Sequence, residues 1–436
     1  MASKKGNHKK TAAKTKPRPL RYLDLFAGAG GLSEGFYRAG FRPVAHVELS
    51  TSASYTLKTR VAKHWLDEHQ KETIYLDYLN RKISREELYR HIPQKKLNSV
   101  INAEIGQEEL PGIFSKIDEL AGSSRKIDLI IGGPPCQAYS LIGRARDSNG
   151  MLGDKRNYLY LYYASFLAKY KPKYFVFENV LGLRSAKDEN GDKYLDAMKA
   201  SFRDAGYEIA DSLLSAKDFG VLQNRNRLII VGKLTKDSVD FPDLVKTENT
   251  SVFVNEIFKD LPAIQAGAGS VDPCMKIPYT GTYLYNSKIK NDDIPVTWHE
   301  ARPNTEQDLE IYRLAVKKWK DGNQRLLYTE LPSRLRTHKN CKSFIDRFKV
   351  VEGDQKYAHT VMAHIAKDGH YYIHPDIKQN RSITPREAAR LQTFPDDYFF
   401  ESESEVPGRT AAFQQIGNAV PVLLAESIAN GLYSSW

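Results

Sequence analysis

The 436 residues carry a net charge of +11, with 27% charged and 41% hydrophobic residues, a balance that suits a globular chain of one large and one smaller domain. No apolar run reaches the length of a membrane span, and the lysine-rich start lacks the apolar segment of a signal peptide. Three widely spaced cysteines, Cys136, Cys274 and Cys341, exclude a disulfide framework and a CxxC-type metal site, which points to a reducing, cytoplasmic setting without a metal.

Seven basic residues and no acid lie between Lys4 and Arg18, and removing them leaves a balance of +4. Residues 1–19 therefore read as a basic, disordered tail. Arg21 to Phe26 reads as a strand that runs into the Gly-rich turn Ala27-Gly28-Ala29-Gly30-Gly31. A helix with Leu32, Phe36 and Tyr37 follows, then a second strand, Val44 to Val47, ending at Glu48. A dinucleotide fingerprint starting at Gly28 needs glycine at position 33, which is Ser33. Glu48 lies 20 residues after Gly28, where an acid binds ribose hydroxyls. The pattern suits a nucleoside without a pyrophosphate, and S-adenosylmethionine meets that description.

Ser52 to His69 and Ser84 to His91 read as helices, within a stretch of about 55–94 that looks inserted. A third strand is expected at Asn98 to Ala103, with a helix through Ile113 to Leu120 behind it. Ile127 to Ile131 then reads as a strand buried on both faces, ending in Gly132-Gly133-Pro134-Pro135-Cys136. The prolines fix the backbone, so the Cys136 thiol is held at the carboxyl end of a strand, the edge where open α/β sheets bind ligands.

A fixed thiolate beside a methyl donor suits one reaction. Carbon 5 of cytosine is a poor nucleophile until a thiolate adds to carbon 6, and an acid near ring nitrogen 3 assists that addition. Tyr174 to Phe177 reads as a strand that presents such an acid, Glu178. Gln223-Asn224-Arg225-Asn226-Arg227 precedes the strand Leu228 to Val231, and an extended backbone there puts Arg225 and Arg227 on one face. The alternation of strands and helices implies a doubly wound, mostly parallel α/β sheet over residues 20–239.

The rhythm breaks near Lys233. Residues 240–380 are rich in turns, charges and aromatics, with ten Lys and Arg against three acids between Lys317 and Lys349, a mixture that suits a phosphate backbone. Helical pattern returns at Thr384, a candidate cap, with Pro385 in the first turn. The apolar segment Ile416 to Leu432 needs burial against the first domain, so residues 381–436 read as a return segment.

Taken together, DLFAGAGG, GGPPCQAYS, DKRNYL, ENV, QNRNR, REAARLQTFP and QIGNAVP resemble, in order, the motifs of the DNA cytosine-5 methyltransferases of bacterial restriction–modification systems. The resemblance implies the class I methyltransferase fold, with residues 240–380 as a target-recognition domain. It implies that Cys136 attacks the cytosine, with Glu178, Arg225 and Arg227 as the catalytic partners. S-adenosylmethionine is the implied donor, held by Phe26, Ala27, Gly28, Gly30, Gly31 and Leu32 at the turn. Glu48 and Leu49, Glu104 and Ile105, Pro134, Asn418 and Val420 complete the implied donor site. Duplex DNA is the implied partner of a monomer that pairs functionally with a cognate restriction endonuclease.

Two acids compete for the adenine amino group. Asp77 has the side chain usual in the family, whereas Glu104 lies 32 residues before Cys136, the size of a βαβ repeat. Glu104 is the expected choice. The alternatives to DNA methylation are a tRNA cytosine-5 methyltransferase of the same fold and a non-catalytic DNA-binding adaptor. The long recognition region disfavours the first, and the joint presence of Cys136, Glu178 and the donor turn disfavours the second.

Overall fold

The computed structural model describes residues 18–135, 155–247, 251–337 and 345–436. Cys136 with its loop, the tail to residue 17 and Cys341 lie outside them. The described residues form a sheet of seven strands in the order β3-β2-β1-β4-β5-β7-β6. These are β1 (Arg21–Leu25), β2 (Arg42–Glu48), β3 (Val100–Asn102), β4 (Leu129–Gly132), β5 (Tyr174–Asn179), β6 (Tyr207–Ser215) and β7 (Asn226–Leu234). β7 runs antiparallel to both β5 and β6, and the other pairings are parallel.

The chain moves from β1 to β2 and β3 on one side, then crosses back to place β4 and β5 on the other. The order reverses between β1 and β4, and in open sheets that reversal opens a crevice at the carboxyl ends of the two strands. Leu25 pairs with Gly132, and Gly132 with Phe177, so three strand ends lie side by side. Gly132 is required there. A methyl group on it would stand 2.4 Å from the Leu25 carbonyl oxygen.

Both sheet faces are covered, which is why the central strands read as continuous apolar runs. On one face Leu23, Leu25, Val47, Phe175 and Phe177 pack with Ile113, Ile117 and Tyr163. On the other, Tyr22, Ile131 and Val176 meet Phe36 of α1 (Gly31–Arg38) and Leu424, Ile428 and Leu432 of the last helix, Val422–Ser434. Ile416 lies in a separate helix, Arg409–Asn418, before Pro421 and is buried in another core, so it is Val422–Ser434 that meets the expected burial on the first domain. Gly35 of α1 makes this contact close: an added methyl would stand 2.4 Å from Ala425.

Between β2 and β3 stand four helices, α2 (Thr51–Glu68), α3 (Glu72–Leu79), α4 (Arg85–Arg90) and α5 (Gln94–Leu97). Their buried residues Leu66, Tyr75, Tyr78 and Leu88 share one core with Trp298, Phe394, Phe399 and Phe413 from later in the chain. Residues 240–380 also hold a core of their own around Ile311, Tyr312, Leu331 and Phe348. They contain a 17-residue helix, Glu306–Gly322, where the sequence showed no clear pattern. Thr384 caps the helix Pro385–Leu391 in a capping box with Glu387. Arg390 of that helix, fully buried, pairs with Asp260 at 2.5 Å and Asp396 at 2.6 Å and so ties residues 240–380 to the return segment.

Candidate active site

The Gly-rich turn begins where β1 ends. Phe26 takes a φ of 57°, a left-handed conformation that costs an L-residue about 1–2 kcal/mol, and Gly28 (φ 55°) and Gly30 (φ 83°) continue the turn at less cost. The Ala27 amide donates to Val47 O at 3.1 Å. Glu48 accepts from the Gly28 amide at 2.8 Å and the Ser50 amide at 2.7 Å, so the acid at the end of β2 is joined to the turn. Burial raises its pKa above the usual carboxylate value, with the Ser50 and Gly28 amides opposing the shift. Leu49 stands exposed beside it, and its carbonyl accepts from the Asn102 side chain at 2.8 Å.

Two candidate acids are separated by the fold. Glu104 follows β3 at the carboxyl edge, next to β2, where the Ala103 amide donates to Glu48 O at 3.1 Å, and Ile105 beyond it is buried. Asp77 sits within α3, where its carboxylate receives Lys82 at 2.9 Å.

A third acid, Asp24, was not singled out in the sequence. It is 1% exposed beneath the turn, and neither carboxylate oxygen has a hydrogen-bond partner among the described residues. Burial, then the charge of Glu48, pushes its pKa well above the ordinary range. An unpaired buried carboxylate is costly without a function, and a ligand cation would satisfy it. An aspartate inside the apolar run Tyr22 to Leu25, directly before a Gly-rich turn, was the available signal.

The far wall comes from the return segment. A methyl group on Gly31 would stand 2.5 Å from Val420 O, so buried Val420 closes on the turn, while Asn418 at the end of its helix is exposed. Arg225 is fully buried here. Its guanidinium donates to Gly417 O at 3.1 Å, to Ala419 O at 2.9 Å and to Val361 O, thereby bracketing Asn418.

On the reacting side, β4 leads through Gly132 and Gly133 to buried Pro134. Glu178, at the end of β5, meets Arg227 with Nε 2.5 Å from Oε1. The antiparallel pairing of β5 with β7, Asn179 opposite Leu228, delivers that arginine. Gly133 lies against the same carboxylate, since a methyl there would stand 2.4 Å from Oε2. Arg227 and Arg225 thus part company. Arg227 pairs with the acid, and Arg225 turns to the return segment. No metal-binding group of His, Cys, Asp and Glu is present among the described residues.

A family model described as C-5 cytosine-specific DNA methylase matches residues 20–84 and 104–434, resuming at Glu104. The Type II methyltransferase M.Bpa9945I of Bacillus paralicheniformis is 39% identical, covering 94% of this chain and 98% of its own. The Type II methyltransferase M1.HphI of Haemophilus parahaemolyticus is 30% identical over 95% of this chain and 86% of its own. Among solved structures, a putative DNA modification methyltransferase encoded within an E. coli prophage shares the fold, with a TM-score of 0.60 at 24% identity over 95% of this chain and 99% of its own. The model covers most of the chain and two relatives span nearly all of it, so this chain belongs to the C-5 cytosine-specific DNA methylases.

Proposed function

We propose that this enzyme moves a methyl group from S-adenosylmethionine to carbon 5 of a cytosine flipped out of a specific duplex sequence, as the modification half of a restriction–modification system. The reading rests on one observation. The ends of β1, β4 and β5 lie in register, which brings the donor turn, the loop leading to Cys136 and the acid Glu178 to one crevice. The names of the Type II relatives support the restriction–modification setting.

The residues present suit the donor. Glu48 would bind the ribose hydroxyls, Phe26 and Leu49 would flank the adenine, and Glu104 would accept from its amino group. Asp24 would face the methionine ammonium, an arrangement that its unpaired oxygens favour. Asn418 and Val420 would close the site, with Arg225 positioning them through the flanking carbonyls. The donor supplies an electrophilic methyl group on a sulfonium.

A stacked cytosine cannot be reached, so the base leaves the duplex, and residues 240–380 would read the flanking sequence. The Cys136 thiolate adds to carbon 6 while Glu178 gives a proton or a strong hydrogen bond to nitrogen 3. Carbon 5, now nucleophilic, takes the methyl group. Loss of the carbon 5 proton to a base then expels the thiolate, nitrogen 3 returns any proton it took to Glu178, and the ring is restored. Arg227 keeps the Glu178 carboxyl aimed, through its 2.5 Å contact.

Bisulfite sequencing of DNA from cells expressing the protein should show protected cytosines in one short sequence context. Methyl transfer to tRNA with none to duplex DNA would overturn the reading. Within the donor site, Glu104→Ala should raise the S-adenosylmethionine dissociation constant by a few-fold to tens of fold, the scale of one lost hydrogen bond to a charged group. Asp77→Ala should leave calorimetric binding nearly unchanged, and the reverse pattern would reject Glu104.

A further inference from the structure

The donor turn is held from behind by groups far away in the sequence. Tyr398, 1% exposed, follows Phe394 and Pro395 of the return segment, and its hydroxyl donates to the carbonyl of Ala29 in the turn. A methyl group on Gly30 would stand 2.9 Å from that hydroxyl and 2.8 Å from Leu57 of α2. Gly30 is therefore wedged between the return segment and α2.

Arg60 of α2 locks this arrangement. Its guanidinium carbon lies 4.9 Å from the centre of the Tyr398 ring. Nε and Nη2 donate to the two oxygens of Glu34 at 2.8 and 2.7 Å, and Nη1 donates to Asp397 at 2.8 Å. Glu34 stands in the first turn of α1, and its amide donates to Gly30 O at 2.8 Å. Burial alone would raise the Glu34 carboxyl, but Arg60 and His64 hold it well below the usual range. One cation thus joins the helix after the turn to the residue before Tyr398, and its planar fork suits both the bidentate pairing and the stacking.

We infer that Tyr398, clamped by Arg60, is a positioning residue that holds the Ala29–Gly30 backbone in its donor-binding conformation. The inference rests on the donor site proposed above. Neither side chain is assigned a contact with donor or cytosine, so both act through the turn. A turn held in advance loses less conformational freedom on binding, and affinity gains accordingly. The helix α2, which carries Leu57 and Arg60, then has a task at the turn as well as in the core.

Calorimetric titration with S-adenosylmethionine and steady-state kinetics on the full chain test this. Tyr398→Phe removes only the hydroxyl. It should raise the donor dissociation constant and the donor KM together by about threefold to tenfold, the scale of one neutral hydrogen bond, with kcat and DNA affinity unchanged. Arg60→Lys keeps the charge and loses the planar fork, so it should shift donor binding in the same direction. Tyr207→Phe, which removes the bond from the buried Tyr207 hydroxyl to Pro172 O at 2.8 Å, away from the clamp, should lower thermal stability and leave donor binding alone. Equal donor affinity in wild type and Tyr398→Phe would overturn the inference. So would a loss in Tyr207→Phe as large as in Tyr398→Phe, because the effect would then be general loosening. Absence of donor binding in the wild type would instead overturn the donor site itself, and the inference with it.

Discussion

Cys136→Ala should abolish both methyl transfer and covalent capture of DNA while donor binding persists. Duplex DNA with 5-fluorocytosine at the target traps the adduct, because fluorine on carbon 5 cannot leave as a proton does. Wild-type enzyme incubated with that duplex and S-adenosylmethionine should give a species that survives denaturing electrophoresis, and Cys136→Ala should give none. The loss in rate should exceed the roughly 10²–10⁴-fold that an acid–base residue contributes, since without the addition to carbon 6, carbon 5 stays a poor nucleophile. Calorimetry on the variant should return the wild-type donor affinity. An adduct formed by Cys136→Ala would remove Cys136 from the attacking position.

Glu178→Gln should lower kcat by about 10²–10⁴-fold with little change in donor affinity. The amide keeps the size of the side chain and can still form a hydrogen bond, but it has no proton to give to nitrogen 3. Arg227→Ala removes only the contact that aims the carboxyl, at 2.5 Å, so it should show a smaller fall in kcat. Space at this acid is already limited by Gly133, whose added methyl would stand 2.4 Å from Oε2. Single-turnover kinetics separate the chemical step from DNA binding. A Gln variant with wild-type single-turnover rates would assign Glu178 to packing alone.

Local chemistry made much of the fold legible. β1, β2, β4, β5 and β7 are central strands buried on both faces, and such strands appear as short apolar runs whatever lies beside them. β6 was not visible. It is the edge strand Tyr207–Ser215, mostly half-buried, and its mixture of polar and apolar residues has no clean period. The helix Glu306–Gly322 was hidden for a related reason. Its buried stripe, Ile311, Tyr312, Ala315 and Val316, is narrow and flanked by the lysines that suggested a phosphate-binding surface. Its Thr305 capping box with Asp308 was the readable sign.

Local sequence was enough to place the Gly-rich turn after β1, the Glu48 that ends β2, the strand into Gly132-Gly133-Pro134-Pro135 and the acid that ends β5. Each is a turn or a strand end whose meaning lies within a few residues of itself. Spacing also favoured Glu104 over Asp77 for the carboxyl edge, whereas tertiary structure alone decided that Asp24 has no hydrogen-bond partner among the described residues, and that Arg225 and Arg227 make contacts in different places. It alone brought Tyr398 to Ala29 across 369 residues, and Arg60 to Asp397 across 337. Pairings at such separations follow from strand order and from the packing of the helices between β2 and β3 against the return segment. A local pattern carries no record of which distant surface will cover it.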